Sequence, residues 1–194
     1  MNRPLLSFVA AALLLQACAT APTTPTPFPA EPALEAIPIT WPGDYSHEAS
    51  HFRFPTAVAE FKRMTLVQRG KDAMRITAGY VGGPPECLAA LTLWVDPASG
   101  ASDTERLDAA FARAKAEAGR LHPGAALEKE QSGNEPPLPH RRAAYLDQDR
   151  RVDLVVFLVD HDWLLKYRVV YPARCVDDVD ARIQRFFDAW RRTP

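Results

Sequence analysis

Apolar residues alternate with polar ones, or form short apolar runs, at many points of the chain. In one such stretch Met74, Ile76 and Ala78 alternate with polar residues, and two glycines and two prolines follow soon after. Alternation of this kind turns one side of a strand toward a core and the other toward solvent. By this criterion we predict strands at 51–54, 65–69, 73–81, 88–95, 126–131, 143–147, 152–159 and 163–171.

Two other segments repeat apolar residues every three or four positions, as amphipathic helices do. The first has a candidate cap at Ser102 or Asp103 and ends near 123–124; its apolar face is Leu107, Phe111, Ala114, Ala118 and Leu121. The second has a candidate cap at Asp177 or Asp178. Its apolar face is expected to pack on a sheet rather than to form a binding groove, and consists of Val179, Ile183, Phe186, Phe187 and Trp190.

The order of these elements is strands, helix, strands, helix, with short polar turns between successive strands. It predicts an α+β domain in which two helices pack on a mostly antiparallel sheet. The turn at 160–162 reads Asp-His-Asp, and we interpret it as a hairpin turn rather than as a metal or acid–base cluster.

Parts of this layout resemble the PsbP-like domain, whose fold is shared with the Ran-binding Mog proteins and a group of bacterial envelope lipoproteins. The resemblance is carried by FRFPTAVAEFKR at 52–63, a strand ending at Tyr80, WVDP at 94–97 and WLLKYR at 163–168. It covers Phe52 to about Arg191. It implies the same fold and a non-enzymatic binding or assembly role.

Residues 1–17 have the composition of an export signal. Arg3 precedes an apolar run from Leu5 to Leu15, which at about 1.5 Å per residue spans only about half of a 30 Å hydrocarbon core. The tetrapeptide at 15–18, Leu-Gln-Ala-Cys, resembles the lipobox of bacterial lipoproteins. That resemblance implies removal of residues 1–17, acylation of Cys18 with chains such as palmitate, and a lipid anchor in the cell envelope.

The residue after the cysteine helps to decide which membrane of the envelope receives a bacterial lipoprotein. Because Ala19 is not the aspartate that often retains such proteins in the inner membrane, we expect the outer membrane and a domain that faces the periplasm. The alternative is an ordinary secretory signal in which Cys18 is incidental.

Residues 18–42 contain seven of the chain's 18 prolines. Because proline fixes φ and lacks an amide donor, we predict an extended tether that joins neither a sheet nor a helix. Its length would allow a reach of about 75 Å at about 3.1 Å per residue. The remaining residues, 43–194, are the length of one ordinary domain.

Residues 47–51, His-Glu-Ala-Ser-His, match the HExxH motif of zinc metallohydrolases. In such enzymes a helix presents two histidines, here His47 and His51, to zinc, and the glutamate, here Glu48, acts as general base. Prolines on both sides leave little length for a helix, and Ala57 stands where a third ligand would follow. We therefore expect exposed loop histidines, with a zinc site as the alternative.

Cys87 and Cys175 are the cysteines that remain once Cys18 is acylated. In an oxidising compartment they allow one intramolecular disulfide, which would stabilise the fold by about 4 to 5 kcal/mol by closing a long loop. We expect this disulfide, and two separate buried thiols are the alternative.

Charge and missing motifs narrow the functional classes. The chain has 23 basic and 24 acidic residues, which argues against a general nucleic-acid binder. It has no GxSxG or SxxK motif and no glycine-rich phosphate loop. The segment PPLPHRR at 136–142 is either a docking segment for a partner or an ordinary loop.

These observations together favour a lipid-anchored binding or assembly module. We expect no catalysis of its own, no cofactor, and an envelope protein of unknown identity as its partner. A carrier of a small apolar ligand is a further alternative.

Overall fold

The structure is a computed structural model that describes residues 34–133 and 138–190. Within these residues there are eleven strands and two α-helices. The strands are β1 (Ala36–Pro38), β2 (Tyr45–Ser46), β3 (Arg53–Phe54), β4 (Ala57–Val58), β5 (Phe61–Arg69), β6 (Ile76–Gly82), β7 (Ala89–Pro97), β8 (Ala126–Gly133), β9 (His140–Asp147), β10 (Arg150–Val159) and β11 (Trp163–Pro172). The helices are α1 (Asp103–Leu121) and α2 (Val176–Ala189), and short 3-10 turns occupy Pro85–Cys87 and Ala173–Cys175.

Nine strands form one antiparallel sheet. Its order is β1-β5-β6-β7-β11-β10-β9-β8, and β4 pairs with β5 beside this path. β2 and β3 form a separate two-stranded sheet. Neighbouring strands also follow one another along the chain, except where β11 pairs with β7 and where β1 pairs with β5.

The centre of the large sheet is buried on both faces. In β10, Val155 and Val159 point to one core, whereas Leu154, Val156 and Leu158 point to the other. A strand covered on both sides must be apolar at successive positions, which explains the continuous apolar run that follows Asp153. The two cores lie beneath different helices, α2 on the first face and α1 on the second.

The predicted α+β class with a PsbP-like layout is wrong. The described residues are 46% strand and 25% helix, and the fold is β-rich and sandwich-like. The small β2–β3 sheet and α2 cover one face of the large sheet, and α1 covers part of the other. Periodicity identifies the type of each element, but it does not show how many strands share one sheet. The predicted class is therefore wrong because it rests on the two helices and not on the size of the sheet.

The helices lie where the apolar spacing places them, but their ends differ from the prediction. The Ser102 hydroxyl accepts a hydrogen bond from the Glu105 amide and so caps α1, while Leu121 is exposed at its other end. The predicted cap of α2 is wrong, because the helix begins at Val176 directly after a 3-10 turn and has no side-chain cap. Asp177 and Asp178 instead lie in its first turn, where negative side chains interact favourably with the positive end of the helix dipole.

The end of the predicted tether belongs to the sheet. Ala36–Pro38, inside the segment 18–42, forms β1 and pairs with Val67–Arg69 of β5. The expectation that no part of this segment joins a sheet is therefore wrong. Proline is tolerated here because β1 is an edge strand, where an amide donor is not needed on the outer side. The signal at 1–17, Cys18 and the rest of the tether up to residue 33 lie outside the described residues.

Phe186 of α2 is the centre of an aromatic cluster that joins the helix to the sheet. Its side chain is fully buried, and its ring lies 5.4 Å from Phe61 of β5, 5.2 Å from Tyr80 of β6 and 5.3 Å from Phe187. The apolar face of α2 is thus part of the core.

We predict that Phe186→Ala lowers the free energy of unfolding by about 3–5 kcal/mol, because it removes a buried ring and leaves a cavity. Leu121→Ala, at an exposed apolar residue of α1, should change it by less than about 0.5 kcal/mol. Urea denaturation followed by circular dichroism measures both. Equal effects of the two substitutions would contradict this account of the core.

Candidate functional site

The HExxH segment forms the turn between β2 and β3 rather than a helix. The amide of His51 donates to the carbonyl of His47 at 2.8 Å, and His51 has a positive φ of 59°. This bond closes a single turn that does not continue as a helix, and His47 is buried whereas His51 is exposed. The two imidazoles therefore do not face one point, as the zinc motif requires.

His47 is buried, so the expectation of an exposed histidine is wrong for this residue. Its Nε2 lies 2.7 Å from the Ala73 carbonyl oxygen, which can only accept, so Nε2 carries a proton. In the neutral imidazole Nδ1 then accepts from the Ser50 hydroxyl at 2.6 Å. Both nitrogens are used, and the ring also packs edge-to-face on Trp163 at 5.9 Å. His47 ties the β2–β3 turn to the large sheet and to the loop before β6.

Glu48 and His51 are both exposed beside it. Across residues 34–133 and 138–190, no group of three or more His, Cys, Asp or Glu side chains is arranged to hold a metal ion. The geometry of the turn gives the zinc alternative no support.

We predict that His47→Ala lowers the free energy of unfolding by about 1–3 kcal/mol, because it removes the hydrogen bonds that His47 makes with the buried Ser50 hydroxyl and the Ala73 carbonyl. His51→Asn is the matched control, since asparagine tolerates a positive φ, and should cost less than about 0.5 kcal/mol. Denaturant unfolding and metal analysis of the purified protein check this. Stoichiometric zinc that both substitutions remove would contradict the structural role.

The segment 160–162 is a hairpin turn between β10 and β11. Asp160 and His161 adopt positive φ values of 48° and 63°. His161 Nδ1 lies 2.5 Å from the Asp103 carboxylate, and its carbonyl accepts from the Arg106 guanidinium at 2.7 Å. The turn thereby holds the first turn of α1 against the sheet.

Only part of the segment 136–142 can be located, since residues 134–137 lie outside the described ranges. His140 begins β9, and Arg141 is buried rather than exposed. Arg141 Nε donates to the Asp108 carboxylate of α1 at 2.7 Å. This part of the segment is thus a strand that holds α1, not an exposed basic loop.

Cys87 and Cys175 lie at disulfide distance, with sulfurs 1.98 Å apart and Cα atoms 5.8 Å apart. Each ends a 3-10 turn, one before β7 and one before α2. The buried Arg182 of α2 reinforces this junction by donating to the Cys87 carbonyl at 3.0 Å and by pairing with Asp178 at 2.5 Å. The start of α2 is thus fixed to the loop between β6 and β7.

A groove between α1 and the edge of the sheet is the candidate binding site. Its volume is about 610 Å³, and it opens to solvent. α1 packs on β9 and β10, so β8 lies beyond the helix and is exposed along almost its whole length. The groove is lined by Asp108, Phe111, Ala112, Lys115 and Ala116 of α1 and by Leu127, Glu130, Ser132, Arg141 and Tyr145 of β8 and β9.

The charges of the groove are paired across it. Lys115 Nζ lies 2.5 Å from the Glu130 carboxylate and 5.3 Å from the Phe111 ring centroid, which attracts the cation. Burial and the nearby Glu130 carboxylate raise the pKa of the Tyr145 hydroxyl. The groove thus offers balanced charges, a phenol and two apolar side chains, Phe111 and Leu127, and its chemistry suits a polypeptide better than a single ion.

The strand beside the groove has an open edge. Among the described strands β8 pairs only with β9, so the outer edge of its main chain has no strand partner. A bulge lies between Leu127 and Lys129. The sequence predicts this strand but not the groove. The signal that was missed is the run Glu128-Lys129-Glu130, because three successive charged residues leave neither face of a strand apolar.

A second polar cluster that the sequence did not indicate is buried under α2. Tyr171 of β11 donates to the Asp153 carboxylate of β10 at 2.5 Å, and Arg151 Nε donates to the same carboxylate at 3.2 Å. Burial, followed by this hydrogen bond, raises the pKa of the Tyr171 hydroxyl. Because the carboxylate is paired and only 2% exposed, the cluster joins two strands and offers no access to a ligand.

No family model, no curated protein and no solved structure matches this chain. Neither helix in the described part of the chain combines the length and the apolar composition needed to span a bilayer.

Proposed function

We propose that this chain is a lipid-anchored protein of the cell envelope that binds another envelope protein in the groove between α1 and β8. The anchor is Cys18 with its acyl chains, and the domain faces the periplasm, with the outer membrane as the favoured location. The anchor rests on the export signal and on the lipobox-like sequence at 15–18. Several acyl chains on one residue hold a protein stably on a membrane.

The observation that carries the binding role is the open edge of β8 beside the groove. An extended polypeptide can add a strand to such an edge, while its side chains enter the neighbouring groove. Leu127 is 51% exposed there, and an apolar side chain of a partner would cover it. The bulge and the charges of β8 restrict this pairing to a partner whose own charges fit.

No observation favours the other two functions that the sequence left open. His47 already uses both ring nitrogens within the domain, so a zinc hydrolase would need a different turn. The groove is lined by four charged side chains, which does not suit a carrier of a small apolar ligand.

We predict that cells fed an alkyne analogue of palmitate label the wild-type protein and not Cys18→Ala, because the thioether and amide acylation sites are both on Cys18. The double variant Cys87→Ser/Cys175→Ser is the matched control and should keep the label. Gel fluorescence after coupling of a dye reads the result. A Cys18→Ala protein that is labelled as strongly as the wild type would refute the anchor.

We predict that a photo-crosslinking amino acid at Leu127 captures one defined partner in living cells, whereas the same group at Leu88 does not. Leu88 is a fair control because it is 47% exposed but lies outside the groove. Ala116→Arg fills the groove from an exposed position of α1 and should reduce the crosslinked product about tenfold, or by about 1.4 kcal/mol of binding free energy. Immunoblotting quantifies the product.

Gly119→Ala, at an exposed position of α1 outside the groove, serves as the control for the helix substitution. It should leave the crosslinked product unchanged. Crosslinking of equal strength from Leu127 and Leu88, or a product that Ala116→Arg does not reduce, would count against the groove as the binding surface.

A further inference from the structure

Two apolar side chains are strongly exposed near the point where the described chain begins. Trp41 is 54% exposed and Met64 is 67% exposed, the largest values among the exposed large hydrophobic residues of the described ranges. Exposed apolar side chains that are scattered singly need no explanation, but two at one corner of a domain indicate a contact surface.

Arg63 holds these two residues at the same corner. Its guanidinium donates to the Trp41 carbonyl at 3.1 Å and to the Gly43 carbonyl at 2.8 Å, and it also donates to the Phe54 carbonyl. Met64 is the next residue along β5. The chain segment that carries Trp41 is thus fastened to the strand that carries Met64.

Met64 is the extra residue of a β-bulge. The register with β6 pairs Arg63 with Tyr80 and Thr65 with Gly79, which leaves Met64 without a partner position. A bulge at the margin of a sheet redirects a side chain, and here it turns an apolar one toward solvent.

The Trp41 side chain is held by the protein on one side and exposed on the other. Its indole Nε1 donates to the Asp44 carbonyl at 2.9 Å, and its ring packs edge-to-face on Tyr45 at 6.0 Å. One part of the ring is thus held by the protein, while about half of the side chain remains in solvent. Tryptophan is enriched at the boundary between water and lipid because its ring is apolar and its N–H is polar.

The corner is also where the membrane-proximal chain enters the domain. The described chain begins at residue 34, and β1 leads directly to Trp41. The groove lies at the other edge of the sheet, six strand spacings from β5, or about 29 Å. Along the chain, the proposed anchor at Cys18 is therefore closer to this corner than to the groove.

We propose that Trp41 and Met64 insert into the interfacial region of the bilayer that carries the acyl chains of Cys18. This proposal rests on the proposed lipid anchor. The occupant of the corner is a lipid surface, and the contact fixes the domain on the membrane with the groove turned away from it.

We expect the contact with lipid to be mainly apolar, with a smaller contribution from the nearby charges. Arg53 pairs with Asp44 at 3.4 Å, and exposed Lys62 is the basic neighbour of this corner on β5. The whole chain carries a formal charge of −1. Lys62 and Arg63, which donates to main-chain carbonyls, add some attraction to anionic lipids, but the two apolar side chains should insert in zwitterionic membranes as well.

The test uses tryptophan fluorescence of the chain from Cys18 onward on vesicles of phosphatidylcholine that contain bromine on the acyl chains. Trp94, Trp163 and Trp190 are 6–8% exposed, so quenching by the lipid reports mainly Trp41. We expect a blue shift and quenching of the emission on these vesicles. Trp41→Phe should abolish both effects, and Met64→Ser should weaken them, while Leu127→Ser at the opposite edge should leave them unchanged.

Two forms of the protein separate this proposal from the anchor. One is the acylated protein purified from cells, and the other is unacylated protein coupled through the Cys18 thiol to a maleimide lipid. Failure of the first form to float with vesicles would refute the proposed anchor alone, since the second form still tests insertion. Flotation of the coupled form without a blue shift or quenching of Trp41 would overturn the insertion of this corner.

Discussion

The fold depends on one requirement, that the central strands of the large sheet be covered on both faces. β10 is apolar at every position from Leu154 to Val159, and β11 is apolar from Trp163 to Leu165, so neither face of these stretches can meet water. The two helices meet this requirement from opposite sides: α2 brings Phe186 to one core, and α1 brings Leu107 and Phe111 to the other. The turn at 160–162 and the junction of Cys87 with Cys175 hold the two helices in these positions.

The candidate site exists because α1 covers only part of one face of the large sheet. One helix of about 10 Å diameter covers two strands of a sheet, and α1 lies on β9 and β10. β8 extends beyond it, and its charged residues are stable there because both of its faces reach solvent. The groove is thus the space between the side of the helix and the first strand that the helix does not cover.

The sequence predicted the elements far better than their assembly. Period-two and period-3.6 patterns are local, and they place α1, α2 and most strands of the large sheet within a few residues. The β-rich class depends on which strands share a sheet, and the groove depends on how far α1 reaches across it, and neither is a local property. His47 fails for the same reason: its partner Ala73 is 26 residues away, and the HExxH spelling cannot show that a turn replaces the helix. Asp153 in an apolar strand is likewise explained in part by Tyr171, which lies on the neighbouring strand.

The two edges of the sheet differ in whether they can pair with a further strand. This difference separates the proposed anchor from the proposed binding site. At one edge, β1 is three residues long and ends in Pro38, which cannot donate to another strand, so this edge is closed to further pairing. The other edge is eight residues of β8 that keep their outer hydrogen-bonding groups. Because the chain enters the domain beside the closed edge, the proposed membrane anchor on that chain would leave the open edge free. The binding strand that we propose would then lie at the far edge of the sheet from the entering chain, where a partner in the periplasm could reach it.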